Sequence, residues 1–245
     1  MYTLQPLPPA HFLSEHSHLH PIIASLLWQR GLRTKQAIDE FLHPKYENRA
    51  YNPFGFKEMK LVVERILQAG DAKERVVVYG DYDADGVSSA VLLIESLERL
   101  YGIRSKRKER RPLKKDDELI QVYLPHREDE GYGLNPGAVD FIIQQEVTLV
   151  ITCDCGSTNV AELERLKSAG IDAIVLDHHE CPPERPPAYA FINPKFEKES
   201  YPFRDLAACG VVFKVIQALH AYCKKKGRSS IGEAFEKWSL DLLAL

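Results

Sequence analysis

Three aspartates spaced two apart, Asp81, Asp83 and Asp85, leave the short β-branched run Val76-Val77-Val78-Tyr79-Gly80 and end on Gly86. On an extended backbone, alternation puts the three carboxylates on one side. Like charges packed that closely repel one another and titrate toward the neutral form unless something compensates them. A hard divalent cation does so. An EF-hand calcium loop needs a helix before the first aspartate and a glutamate at the twelfth position, but here a strand precedes and the twelfth residue is Leu92. A phosphate-cradling P-loop needs Lys-Ser/Thr after its last glycine, and Gly86 is followed by Val87-Ser88. The spacing of Val91, Leu92, Ile94, Leu97 and Leu100 predicts a helix over Ser88–Tyr101. Its N-terminus, beside the aspartates, suits a phosphate.

The chain that positions these residues has 245 residues, 44% of them hydrophobic, enough for a real core. Thirty-two basic and 35 acidic residues leave a net charge of −3, so any nucleic-acid affinity must come from a local patch. No apolar run approaches the ~20 residues needed to span a bilayer. Met1–His11 has neither a basic nor an apolar signal region, and five cysteines, an odd number, agree with a reducing compartment. The expected location is the cytoplasm.

Residues 1–72 read as a helical region. His20-Pro21 opens one helix that stops before Gly31, Thr34 N-caps a second through Leu42, and a third carries Met59, Val62, Val63, Ile66 and Leu67. No basic recognition face supports helix-turn-helix DNA binding by the first two. Residues 73–245 alternate strands and helices: strands at Val76–Tyr79, Gln121–Leu124, Leu149–Thr152 and Ala173–Leu176, helices at Pro136–Gln145 and Asn159–Ala169 between them. This is the rhythm of an α/β fold, a parallel sheet flanked by helices. A proline-rich irregular stretch, Pro182–Pro202, precedes helices near Ala207–Tyr222 and Ile231–Ala244.

Acids and histidines follow three of the strands: Asp81, Asp83 and Asp85 the first, Asp154 another, and Asp177-His178-His179 the last. In open α/β sheets that edge is where ligands sit. Carboxylates mixed with imidazoles favour Mn²⁺ or Mg²⁺, and the acids suffice for two ions. A Cys/His zinc site drawn from Cys153, Cys155 and Cys181 lacks the usual spacing, and alternation aims both flanking thiols away from the Asp154 side.

The segments Gly80–Gly86, Pro125-His126-Arg127 with Glu130-Gly131-Tyr132-Gly133-Leu134, Asp154-Cys155-Gly156 and Asp177-His178-His179 together resemble the DHH phosphoesterases. Four separated motifs in order make the likeness specific, and it extends over most of the chain. Within that family the chain looks most like single-strand-specific exonucleases. The resemblance implies hydrolysis of phosphodiester bonds in single-stranded DNA from the 5′ end, in DNA repair and recombination, with two Mn²⁺ or Mg²⁺ ions. It makes Asp83 and Asp85 metal ligands, Asp154 a bridge between the ions and His178 a ligand to one of them. Asp81 joins the cluster as ligand or support, His179 lies beside the scissile phosphate, and Arg127 neutralises a substrate phosphate. Single-strand-binding protein is the protein partner it suggests.

Two departures from the family pattern stand out. A basic insertion, 104–115, occupies a place where the family runs almost directly into its second strand. The chain also stops at Asp241-Leu242-Leu243-Ala244-Leu245, where the family continues into a glycine, a threonine and a further metal-binding aspartate. The expectation is a domain truncated at its C-terminal end that cleaves poorly by itself. Competing expectations are a phosphodiesterase for short oligonucleotides or cyclic dinucleotides, and a non-catalytic replication scaffold of the same fold.

Overall fold

Residues 6–46, 51–103, 119–228 and 231–244 are described by a computed structural model, and they fall into two units, Met1–Tyr51 and Asn52–Leu245. The first holds α1 (Ala10–Glu15), α2 (Pro21–Gln29) and α3 (Lys35–Leu42). The start signals act as expected: Pro21 opens α2, and Thr34 Oγ1 accepts from Ala37 N–H at 3.1 Å. Phe12, Ala24, Leu27 and Ile38 form its small core.

The second unit begins with a 3-10 turn (Pro53–Gly55) and α4 (Met59–Ala72). The sequence groups α4 with the first 72 residues. In the fold it sits in the second unit, where Met59, Val62, Val63 and Ile66 are buried and Ile66 O accepts from the Tyr101 hydroxyl at 2.8 Å. Five strands follow: β1 (Val76–Gly80), β2 (Ile120–Tyr123), β3 (Leu149–Cys153), β4 (Asp172–Leu176) and β5 (Ala190–Ile192). They form one sheet, ordered β2-β1-β3-β4-β5 and parallel throughout.

Helix α8 (Ala208–Lys225) packs with α4 and with α5 (Ala84–Leu100), while α6 (Pro136–Gln144) packs with α7 (Val160–Ser168). Val77, Tyr79, Val150, Ala173 and Val175 share a core with Val139, Ile142, Leu163 and Leu166 of α6 and α7. Alternation turns Val76, Val78, Leu149, Ile151, Ile174 and Leu176, all buried, to the other face. Covering on both sides is why these strands read as unbroken apolar runs.

Three sequence expectations shift. Helix α5 starts at Ala84, four residues early, because Asp83 caps it by accepting from Gly86 N–H at 2.9 Å. Strand β5 lies inside the proline-rich stretch read as irregular; at three residues it is too short to show a period. The single helix expected over Ile231–Ala244 is two, α9 (Glu233–Trp238) and α10 (Leu240–Leu243), broken at buried Ser239. Its hydroxyl returns to Phe235 O at 2.7 Å, a bond that bends helices.

At the N-terminal edge of the sheet, Arg65 of α4 reaches Glu74 (2.7 Å), Asp172 (2.6 Å) and Thr148 O (3.3 Å), residues that precede β1, begin β4 and precede β3. Only 5% of its surface is exposed. The basic insertion 104–115 lies outside the described residues. No described helix is long and apolar enough to cross a membrane.

Candidate metal centre

Strand register brings the distant acids level. Gly80 pairs with Cys153, and Cys153 with Leu176. One residue further on, Asp81 N–H donates to Cys153 O, Asp154 N–H to Leu176 O and Asp177 N–H to Ile192 O, so each aspartate extends its strand's ladder by one bond. The chain leaves β1 toward β2 and leaves β3 toward β4, so the crevice between β1 and β3 is the topological switch point where open α/β sheets bind ligands.

Beyond the ladder the three loops diverge. The extended run of carboxylates anticipated from spacing is not formed, because α5 begins inside it. Asp83 is the helix cap and Asp85 lies in the first turn, where the helix dipole favours its charge. Gly86 permits this turn, since a Cβ there would stand 2.6 Å from both N and O of Asp81. Asp85 also reaches across the unit: its two oxygens accept from Ala208 N–H (2.8 Å) and Cys209 N–H (2.7 Å), capping α8, which has no side-chain cap of its own. Asp154 takes a left-handed backbone (φ 65°), a conformation that costs a non-glycine residue energy and clusters at functional sites.

Two groups of donor atoms result, each within 4.8 Å: Asp81, Asp83 and Asp154, and Asp154, His178 and His179. Asp154 belongs to both. His178 Nε2 lies 3.2 Å from Asp154 Oδ1 and 3.5 Å from Asp85 Oδ2. Arg127 is exposed outside these groups, its guanidinium carbon 5.1 Å above the Tyr82 ring. From there its charge favours the ionised form of Asp81.

Burial pushes the Asp154 carboxyl up to about 6, with the Asp85 and Asp83 charges adding to it and His178 opposing. Burial also raises Asp81, with the neighbouring Asp83 charge in the same direction. Oδ1 of Asp81 is buried without a hydrogen-bond partner, and Oδ1 of Asp154, also buried, faces the His178 and His179 ring nitrogens at 3.2 and 3.7 Å. Buried polar atoms are almost always paired, so the orphaned Asp81 Oδ1 in an acidic cluster shared with Asp154 fits a cation. Oxygen with imidazole nitrogen suits Mn²⁺ or Mg²⁺.

Asp177 behaves differently. Its oxygens accept from His178 N–H (2.7 Å), His179 N–H (3.1 Å) and Ser157 N–H (3.0 Å), and Oδ1 lies 2.9 Å from His179 Nδ1. Burial works against its charge, but the His179 and Ser157 hydrogen bonds outweigh it and hold the carboxyl well below the usual range. The Asp177 hydrogen bond in turn raises His179. Asn193 Nδ2 bonds Ser157 Oγ and His179 O, both at 2.9 Å. The roles of Asp177, Asn193 and Tyr132 were not anticipated from sequence; for Tyr132 the flanking glycines were the available signal.

The thiols take no part. Cys153 and Cys155 are buried and free, burial pushes both upward, and among the described residues no cysteine joins a donor group.

A doubly wound parallel sheet with acids and imidazoles gathered at its switch point is thus the frame of the site. Residues 75–245 match the model of the DHH family, N-terminal domain, and the chain belongs to that family. Among its relatives, it is 39% identical over 207 residues to the single-stranded-DNA-specific exonuclease RecJ of Bacillus subtilis, covering 84% of this chain and 24% of that protein. RecJ of Thermus thermophilus is 31% identical over 201 residues, 82% of this chain and 26% of that protein. The crystal structure of Thermus thermophilus RecJ in complex with Mn²⁺ superposes with a TM-score of 0.66 at 25% identity, covering 97% of this chain and 30% of that one. A crystal structure of exonuclease RecJ bound to manganese gives 0.62 at 27% identity, covering 80% and 43%. The chain spans about a quarter of the length of these two curated relatives.

Proposed function

We propose that this domain carries the metal centre of a 5′-to-3′ exonuclease of RecJ type, which hydrolyses phosphodiester bonds in single-stranded DNA during repair and recombination. The observation that carries this reading is Asp154, a buried acid common to both donor groups. The names of the relatives, and the manganese in two RecJ structures, support the same conclusion.

Asp83, Asp85, Asp154 and His178 would hold divalent ions, Mn²⁺ or Mg²⁺, with Asp81 beside them. Such ions, when bound, lower the pKa of a water and stabilise charge on the attacked phosphorus. The protein's own part is positional. The β1 and β3 ends fix the acids, the α8 N-terminus orients Asp85, and His179 stands ready to steady the phosphate or protonate the leaving oxygen. Arg127 meets a substrate phosphate from the open side.

The test is Mn²⁺-dependent release of nucleotides from 5′-labelled single strands, with duplex as comparison, by this chain and by one extended to RecJ length. Release from single strands by the extended chain, lost in chelator and in Asp154→Asn, is expected. An inert extended chain, or one that degrades duplex equally well, overturns the reading.

A further inference from the structure

We infer that Tyr132 is a positioning residue of this site, fixing the ring of His179 and tying it to the backbone of Asp154. The inference rests on the function proposed above and adds a residue to it.

The sequence places Tyr132 between Gly131 and Gly133, and both glycines adopt left-handed backbone, with φ of 73° and 81°. Only glycine takes that conformation freely. A Cβ on Gly133 would also stand 2.8 Å from Asn159 Oδ1. The loop is anchored on either side of the tyrosine. Glu130 accepts from His126 N–H (2.7 Å) and the Tyr123 hydroxyl (2.5 Å), Gly133 O accepts from the Tyr79 hydroxyl (2.8 Å), and Asn159 bonds both Leu134 N–H (3.3 Å) and Leu134 O (2.9 Å). Two left-handed residues in a pinned loop deliver one phenol to one place.

That place is the centre of the site. The Tyr132 hydroxyl is 3.2 Å from Asp154 O and 3.0 Å from His179 Nδ1, and the two rings meet edge to face at 5.3 Å. The hydrogens can be assigned by elimination. A carbonyl only accepts, so the phenol donates its single proton to Asp154 O. Asp177 Oδ1 accepts from the His178 and His179 backbone N–H groups and lies 2.9 Å from His179 Nδ1, so Nδ1 carries a proton and shares it with the phenol oxygen. Nδ1 therefore has no lone pair for a metal, although His179 lies within reach of the cluster. Nε2, on a side chain 45% exposed, is the nitrogen left for substrate. The two histidines are thus divided: His178 Nε2 faces Asp85 and Asp154, while His179 is turned outward by Asp177 and Tyr132. Residues that orient a functional side chain in this way typically cost ~10–100-fold when removed.

Tyr132→Phe keeps the ring and loop and removes only the hydroxyl. In the extended chain acting on single strands with Mn²⁺, kcat falls tenfold or more, with KM within twofold and Mn²⁺ affinity unchanged. In a His179→Ala background the same change costs less than twofold, because the phenol acts through the imidazole. A purely structural tyrosine would penalise both backgrounds equally, and that result overturns the inference, as does a fully active Tyr132→Phe. A second measurement needs no turnover: the ¹⁵N spectrum of the His179 imidazole in the present chain. Neutral His179 is protonated at Nδ1, and Tyr132→Phe accelerates exchange of that proton. An Nε2-protonated ring, or exchange indifferent to the hydroxyl, rejects the inference even if the nuclease reading stands. A chain that fails to cleave DNA but shows the expected spectrum rejects the nuclease reading alone.

Discussion

Neutralising Asp154 should strengthen the metal-free fold and abolish its response to metal, two effects of opposite sign in one variant. In the native state the carboxyl is 1% exposed and raised from 3.8 to about 6. A pKa raised on folding contributes stability that is complete below the unfolded value and is lost as pH rises through the folded one. At pH 7 the charged group is therefore a net cost. Two pH units correspond to about 3 kcal/mol at ~1.36 kcal/mol each, an upper figure because an amide fits the His178 contact less well. Asp154→Asn in chelator should be about 1–3 kcal/mol more stable than the parent. For a unit of this size that is a rise of roughly 2–4 °C in Tm per kcal/mol. Adding Mn²⁺ reverses the order: the parent gains ~2.7 kcal/mol at a hundredfold excess over Kd, and the variant gains nothing. Differential scanning calorimetry at pH 7, with chelator and with Mn²⁺, reads both effects. A variant less stable than the parent in chelator, or one still stabilised by Mn²⁺, would refute the argument.

Three other outcomes follow from the geometry. Arg65→Met strands the Glu74 carboxylate, which is 17% exposed, and should cost ~3 kcal/mol, the low end for breaking a buried pair because Asp172 is 39% exposed. Burial opposes the Glu74 charge, but hydrogen bonds from Arg65 and Thr148 hold its pKa below the usual 4.5, so the deficit seen in urea titrations should shrink as the pH falls beneath that value. Gly86→Ala forces a methyl against the Asp81 backbone and should lose roughly 1–3 kcal/mol together with Mn²⁺ binding, measured by isothermal titration. Arg127→Ala, on the open side, should leave Tm and Mn²⁺ affinity alone, raise KM for single strands several-fold and flatten its dependence on salt.

What could be read from sequence tracks how local the determining physics is. Strands β1, β3 and β4 are visible because burial on both faces makes them short apolar runs, and Thr34 announces α3 because a cap acts within three residues. The gathering of Asp81, Asp154 and His178 was legible once the strand-helix rhythm was granted, since parallel register levels the strand ends. The extended geometry assumed for Asp81, Asp83 and Asp85 failed because a helix cap competed with the strand for the same residues, and the cap won. Nothing local could disclose that Asp85 meets Ala208 and Cys209, or that Arg65 meets Thr148 and Asp172; those partners are more than 80 residues away and are chosen by packing. Asp177 looked like one more acid in a row, and only its contacts separate an orienting carboxylate from a ligating one.

The bond between Asp85 and the start of α8 has a practical corollary for anyone dissecting the centre by mutagenesis. Asp83 caps only the helix that it begins, so its removal takes a donor from the cluster but disturbs a single turn. Asp85 serves two masters, and replacing it uncovers the head of α8 while removing a carboxylate from beside His178. An inactive Asp85 variant therefore says nothing about ligation until α8 has been shown intact, for instance by amide exchange at Ala208 and Cys209.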